Sequence, residues 1–262
     1  MNNLHPSQFP EPYPGQHPGV FPGPAPAPQQ FSRVPWLPPA PSGGDAAWGF
    51  GALLLLYVGA LIGGLIGGVL GHSLSWFTFG SMVLAPLFGI GVLYLGVVRR
   101  RRWGWKELGF VRPAHSLLHL VWWIPVTIVF GGLGATILGS LTGVEPADNQ
   151  DPVKSALGMH WAAAALVFVA IALVIPVLEE IIFRRLLLDW LLTRLPVVIA
   201  AGITILAFTL AHLSPALWLY IVWVSFSLLL ARLWFRSLWA TTIIHVANNS
   251  LVTLVALSAL LG

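Results

Sequence analysis

The stretch that decides the fold is Ile175 to Arg185, IPVLEEIIFRR, in which two adjacent carboxylates, Glu179 and Glu180, sit on the flank of a long apolar run. An ionisable group placed in or beside hydrocarbon is costly enough to be read by default as part of a site. On a helix, Glu180 and Arg184 stand at i and i+4 in the favourable Glu-before-Arg order, so they can pair and offset part of each other's desolvation. Glu179 is left without a local partner. The plainer reading is that Glu179, Glu180, Arg184 and Arg185 mark where a spanning helix emerges into headgroups. This segment alone leaves both readings open.

Composition identifies the solvent. The chain is 57% hydrophobic and 8% charged, with a mean hydropathy of +0.83, whereas soluble domains carry roughly 25% charged residues. The reading is an all-α, polytopic membrane protein. Its 13 Trp suit membrane interfaces. With no Cys, a disulfide framework, a thiolate metal site and a cysteine nucleophile are excluded. Metal or acid-base chemistry would fall to His, Glu, Asp and Asn. The net charge of +4 is no nucleic-acid signal, because the basic residues cluster between apolar runs.

Residues 1–45 hold most of the prolines, in PEPYPGQHPGVFPGPAPAPQQ and its flanks. Such a run cannot bury enough apolar surface to order itself, and it is expected to be a disordered, partly polyproline II arm, a tether more than a ligand for a Pro-binding partner. It lacks the charged and apolar regions of a signal peptide. His5 and His17 within it are given no role.

The transmembrane domain is read as residues 46–262. Apolar stretches long enough to cross hydrocarbon, roughly 20 residues each, run Ala46 to Gly71, Leu74 to Val98, Ser116 to Leu141, Trp161 to about Trp190, Val197 to Leu213, Ala216 to Trp234 and Leu238 to Leu261. About seven transmembrane helices are therefore predicted. GALIGGLIGG in the first is a small-residue stripe suited to close helix contact, or simply glycine tolerated in lipid. The fourth stretch is longer than a span needs and should tilt or protrude. Under this count Arg99 to Arg102, Lys106, Arg112, Arg184, Arg185, Arg194, Arg232 and Arg236 share one side, opposite Lys154 and the acidic loop of Glu145, Asp148 and Asp151. Basic loops mark the cytoplasmic face, which predicts a multi-pass protein of the cell membrane with a cytoplasmic amino terminus. The run Arg99 to Arg102 is read as a topology anchor, with anionic headgroups as a second use.

Three further residues give the glutamate pair company: His212, and His245 and Asn249 at i and i+4 in IIHVANNS. The fourth and fifth helices turn near Leu195-Pro196, with Glu179 and His212 almost equally far from the turn. Antiparallel helices of equal rise then bring them to one depth. His245 and Asn249 share a helix face that can look at the pair. The same count fails for His245, only 9 residues past Arg236, unless the preceding hairpin protrudes. A carboxylate, two imidazoles and a carboxamide can hold a water. Glu179 can take its proton, the imidazoles can orient it, bind a metal or stabilise an oxyanion, and Asn249 can donate to a tetrahedral intermediate. That set suits amide hydrolysis.

EEIIFR at Glu179 to Arg184, FTLAH at Phe208 to His212 and HVANN at His245 to Asn249 resemble the signature motifs EExxxR, FxxxH and HxxxN of the CPBP intramembrane proteases, a family that includes CAAX prenyl (Rce1-like) endopeptidases and bacterial Abi and bacteriocin-immunity proteins. WKELGF at Trp105 to Phe110 is similar to a segment often found before the third helix of that family. The resemblance implies a CPBP/Rce1-like core at about 161–261 and an intramembrane endopeptidase, or metalloprotease, acting on a membrane-associated protein or peptide. It implies Glu179 as the water-activating carboxylate, Glu180 and Arg184 as its support, and His212, His245 and Asn249 as the rest of the site. Glu179, His212 and His245 would be the ligands if zinc is used; a metal-free glutamate mechanism draws on the same residues. Arg185 departs from the pattern, where Gly is common, and is expected to crowd or charge the entrance. The rival reading is a scaffold for immunity or secretion that uses the fold without turnover. The bilayer is the implied partner in either case, and nucleic acid in neither.

Overall fold

The computed structural model describes residues 39–144 and 151–258, all helix and loop. Six helices are long and apolar enough to cross a membrane: α1 (Gly43–Gly71), α2 (Leu74–Arg99), α3 (Leu117–Thr142), α5 (Trp161–Leu191), α7 (Pro215–Phe235) and α8 (Leu238–Ser258). A short helix, α4 (Asp151–Leu157), precedes α5. The predicted fifth span is only α6 (Val197–Ala211), 15 residues, or about 22 Å of rise against a hydrocarbon thickness of about 30 Å. Among the described residues six helices, against the seven expected, reach spanning length, and α6 falls short of it. The chain runs back through α7, whose end lies with the basic loops.

The arm and the first helix meet earlier than expected. Residues 1–38 lie outside the described residues, as do Glu145, Asp148 and residues 259–262. Residues 39–45, assigned above to the arm, are structured. Ser42 caps α1 reciprocally with Asp45: Asp45 N–H donates to Ser42 Oγ at 3.2 Å and Ser42 N–H to Asp45 Oδ2 at 2.8 Å. Those two bonds satisfy amides that a bare helix start would leave open. The signal, Ser-x-x-Asp, is a short variant of the capping box and is outweighed by the prolines before it.

Glycine tolerance in lipid does not account for GALIGGLIGG. A Cβ on Gly63 would lie 2.1 Å from Gly80 O, and one on Gly67 would lie 2.0 Å from Trp76 O. The α1 and α2 backbones touch there, and no side chain fits between them.

The ends of the helices sort by charge. Arg100 and Arg101 pair with the buried Asp45 at 2.6 and 3.1 Å. Leu238 N–H donates to Gly109 O, and Ala114 N–H to Phe235 O. The loop after α2, the starts of α1 and α8 and the end of α7 therefore lie at one end, with Arg185, Asp189 and Arg232 beside them. At the other end Ser75 at the start of α2 meets Ser155 of α4, in the segment that carries Lys154. In the basic loop, the N–H groups of Glu107 itself and of Gly104 hold the Glu107 carboxylate below its ordinary range.

A candidate active site inside the bundle

Helix α5 carries the carboxylates, and its hydrogen bonding widens twice to a five-residue repeat, at Val169–Val174 and at Glu180–Leu188. Such widenings recur at functional sites. The first has a local cause. Ile175 N–H donates five residues back to Ala170 O. Next in that pattern comes Pro176, which has no N–H to give to Ile171 O. Asn249 of α8 fills the gap, its Nδ2 donating to Ile171 O at 3.2 Å.

The second widening runs through the motif itself. Glu180 and Arg184 are wholly buried and pair at 3.3 Å, as their i, i+4 spacing predicts. Arg184 Nη2 also reaches Ser225 Oγ at 3.3 Å on α7, and its guanidinium carbon stands 4.2 Å from the Phe208 ring centre. Phe208 is 1% exposed and also faces both imidazoles, at 5.1 Å from His212 and 5.7 Å from His245. The first residue of FTLAH is therefore the shared wall of the site. One helical turn places it on the same face as His212.

The hydrogen bonds around the two imidazoles orient their rings. His212 Nδ1 lies 3.0 Å from Phe208 O; a carbonyl only accepts, so Nδ1 carries a proton and Nε2 points onward. That Nε2 faces Glu179 Oε1 at 4.0 Å. His245 Nδ1 lies 3.0 Å from Glu180 Oε1, a carboxylate already held by Arg184, so again Nδ1 donates and Nε2 points onward. It faces Glu179 Oε2 at 3.6 Å. Each oxygen of Glu179 thus looks at one imidazole Nε2 across a gap too wide for a direct hydrogen bond. The separation suits a bridging donor such as water, 2.8 Å or so from each atom. Glu179 and His212 retain slight exposure, with side chains 11% and 26% accessible, whereas that of His245 is at 4%. The site opens past His212.

The turn after α6 is held by groups from other helices. Tyr57 of α1 donates its hydroxyl to Ala211 O, and Trp218 of α7 donates its indole N–H to His212 O. Irregular backbone within a membrane is tolerated only where protein or an aqueous cavity satisfies it, and here two aromatic side chains do so. Tyr220 donates to Asn248 Oδ1 at 2.6 Å, and Asn248 Nδ2 to Asn249 Oδ1 at 3.3 Å. Tyr57, Trp218, Tyr220, Ser225 and Asn248 escaped the sequence reading. Asn248 alone had a local signal, standing beside Asn249.

The structure brings together Glu179, Glu180, Arg184, His212 and His245. The depth of His245 resolves once Asp189, not Pro196, is taken as the level of the basic end. Asp189 Oδ2 meets Arg232 Nη2 at 2.8 Å, so the hairpin beyond Asp189 protrudes, and Glu180 and His245 climb from that level by similar counts. Asn249 shares the face of His245, but its amide is spent first on Ile171 O. Arg185 does not approach the entrance as expected. It turns to a second buried cluster with Asp189 at 3.0 Å, Glu107 O at 2.7 Å and Pro39 O at 2.8 Å, because one residue along a helix rotates a side chain by about 100°. His72, His115, His119 and His160 stay at span ends; His115 stacks on Trp234 at 4.4 Å and His160 caps α5 through Ala162 N–H.

Among the described residues, no three His, Cys, Asp or Glu side chains are grouped closely enough to hold a metal ion. The set of Glu179, His212 and His245 expected for zinc does not fit one as it stands.

Residues 160–251 match the family model described as type II CAAX prenyl endopeptidase Rce1-like. The match takes in every candidate site residue from Glu179 to Asn249 and leaves out α1, with Tyr57, and all of α2 and α3. No curated protein and no solved structure matches the chain.

Proposed function

We propose that the chain is an intramembrane endopeptidase that hydrolyses a peptide bond of a membrane-associated protein or peptide, with Glu179 as the base that activates water. The observation that carries the reading is the placing of both imidazole Nε2 atoms, at 4.0 and 3.6 Å, against the two oxygens of one carboxylate. With both imidazoles neutral, three acceptors converge with no donor among them. A water placed between Glu179 and His212 gives one hydrogen to each, and its lone pair is left to attack a carbonyl carbon. Glu179 takes the proton as the bond forms and returns it to the leaving nitrogen. His245 is held by Glu180, and Glu180 by Arg184, so these two act as positioning residues. A carboxamide has two N–H donors; one of Asn249's serves Ile171 O, and the other is assigned to the oxyanion.

The gathering of the basic loops at one end supports a cytoplasmic amino terminus by the positive-inside rule. The test is cleavage of a transmembrane reporter peptide by purified protein in bilayers. Glu179→Gln and His212→Ala should each lower turnover by roughly 10²–10⁴-fold with unchanged thermal stability. If both variants are folded and fully active, catalysis is not at this carboxylate. If wild type cleaves nothing while both variants lose a cellular function, the scaffold reading takes over.

A further inference from the structure

A second feature lies on the opposite side of α5 from the polar site, between that helix, the end of α2 and the loop Trp103–Leu108. It is a groove of about 560 Å³, within the roughly 300–1,000 Å³ typical of small-molecule sites. Ile90 and Tyr94 form one wall, Val177 and Ile181 the other, and Trp103 and Trp105 frame one end. Its interior is apolar. The polar side-chain groups of its lining are the Tyr94 hydroxyl and the indole N–H groups of Trp103 and Trp105. A peptide seated there would leave amides and carbonyls unpaired, at a cost of several kcal/mol each in hydrocarbon. The occupant that fits is a chain with no polar groups along its length.

The rim tells what heads that chain. Val98 and Trp103 both line the groove, and the four arginines Arg99 to Arg102 are the residues that join them in sequence. All four are exposed, as is Lys106. Arg102 adopts a left-handed conformation, φ 55°, which turns the chain so that Trp103, 5% exposed, swings inward. Asp45 engages Arg100 and Arg101. The carboxylate of Glu107 lies on the same turn and accepts from Gly104 N–H at 2.8 Å. The rim remains net positive. Tyr94 and Trp105, both more than half exposed, stand where aromatic residues meet the headgroup layer.

We propose that this groove binds one acyl chain of an anionic phospholipid, with its phosphate on Arg99 and Arg102. The chain would pack on Val177 and Ile181, in the same helical turns as Glu179 and Glu180, so the lipid buttresses the back of the helix that carries the site. The proposal depends on membrane residence and not on the protease reading.

Full-length protein in detergent, titrated with phosphatidylglycerol or phosphatidylcholine and followed by native mass spectrometry, tests it. Wild type should retain phosphatidylglycerol preferentially. The double variant R99Q/R102Q should bind it roughly tenfold to thirtyfold more weakly and lose the preference while keeping weak occupancy by either lipid. Ile90→Trp should block both lipids, and Val98→Trp is a second blocking variant should the first fail to fold. Equal retention of the two lipids by wild type would overturn the proposal. So would full retention of phosphatidylglycerol by a folded blocking variant, or its displacement by an apolar peptide.

Discussion

Removing the guanidinium of Arg184 tests the electrostatic frame of the site. Arg184 and Glu180 are both fully buried, 3.3 Å apart, a gross attraction of about 5 kcal/mol at an effective dielectric of 20. Truncating one partner of a buried pair costs about 3–5 kcal/mol, because a charge remains in a low dielectric without the cation that balances it. Arg184→Met, which keeps the length of the side chain, should fall in that range, lowering the folded-to-unfolded ratio by some 10²–10⁴-fold. Glu180→Gln keeps an oxygen to accept from His245 Nδ1 and removes the charge. The double variant Glu180→Gln/Arg184→Met therefore restores electrical balance and should be ~2 kcal/mol more stable than Arg184→Met alone. The assay is reversible unfolding in bicelles by steric trapping, on wild type, both single variants and the double. If Arg184→Met costs less than ~1 kcal/mol, or the two substitutions simply add, the pair does not balance charge inside the bundle and the reasoning fails.

Three other outcomes are expected. Gly63→Ala pushes a Cβ against Gly80 O at 2.1 Å and should destabilise by about 1–3 kcal/mol, whereas Gly132→Ala, with open space around it, should be neutral or mildly stabilising in the same thermal melts. The Glu107 carboxylate titrates lower in the folded loop than unfolded, so its contribution is present above the ordinary carboxylate range, near 4.3, and is lost as pH falls through its folded value; Glu107→Gln should remove that part of the melting temperature's decline on acidification. Reporter cleavage should survive chelation, since the steps derived for Glu179 and the imidazoles use protein groups and water; activity lost on chelation and restored by zinc would replace that mechanism.

Much of this molecule is written in local pattern. Hydropathy reveals the spans because a backbone in lipid must satisfy itself within a helix. The Glu180–Arg184 pair follows from i, i+4 spacing, and the equal depth of Glu179 and His212 from counting back and forth across one turn. What no pattern holds is how far each helix is rotated about its axis and which distant residue meets it. Rotation sends Arg184 to Glu180 and its neighbour Arg185 to Asp189 and the carbonyls of Glu107 and Pro39. Contact at a distance gives Ala211 O a hydroxyl from Tyr57, 154 residues away, and gives Ile171 O the amide that Pro176 cannot supply. Periodicity is a property of neighbours along the chain, and these partners are neighbours only after the bundle has closed.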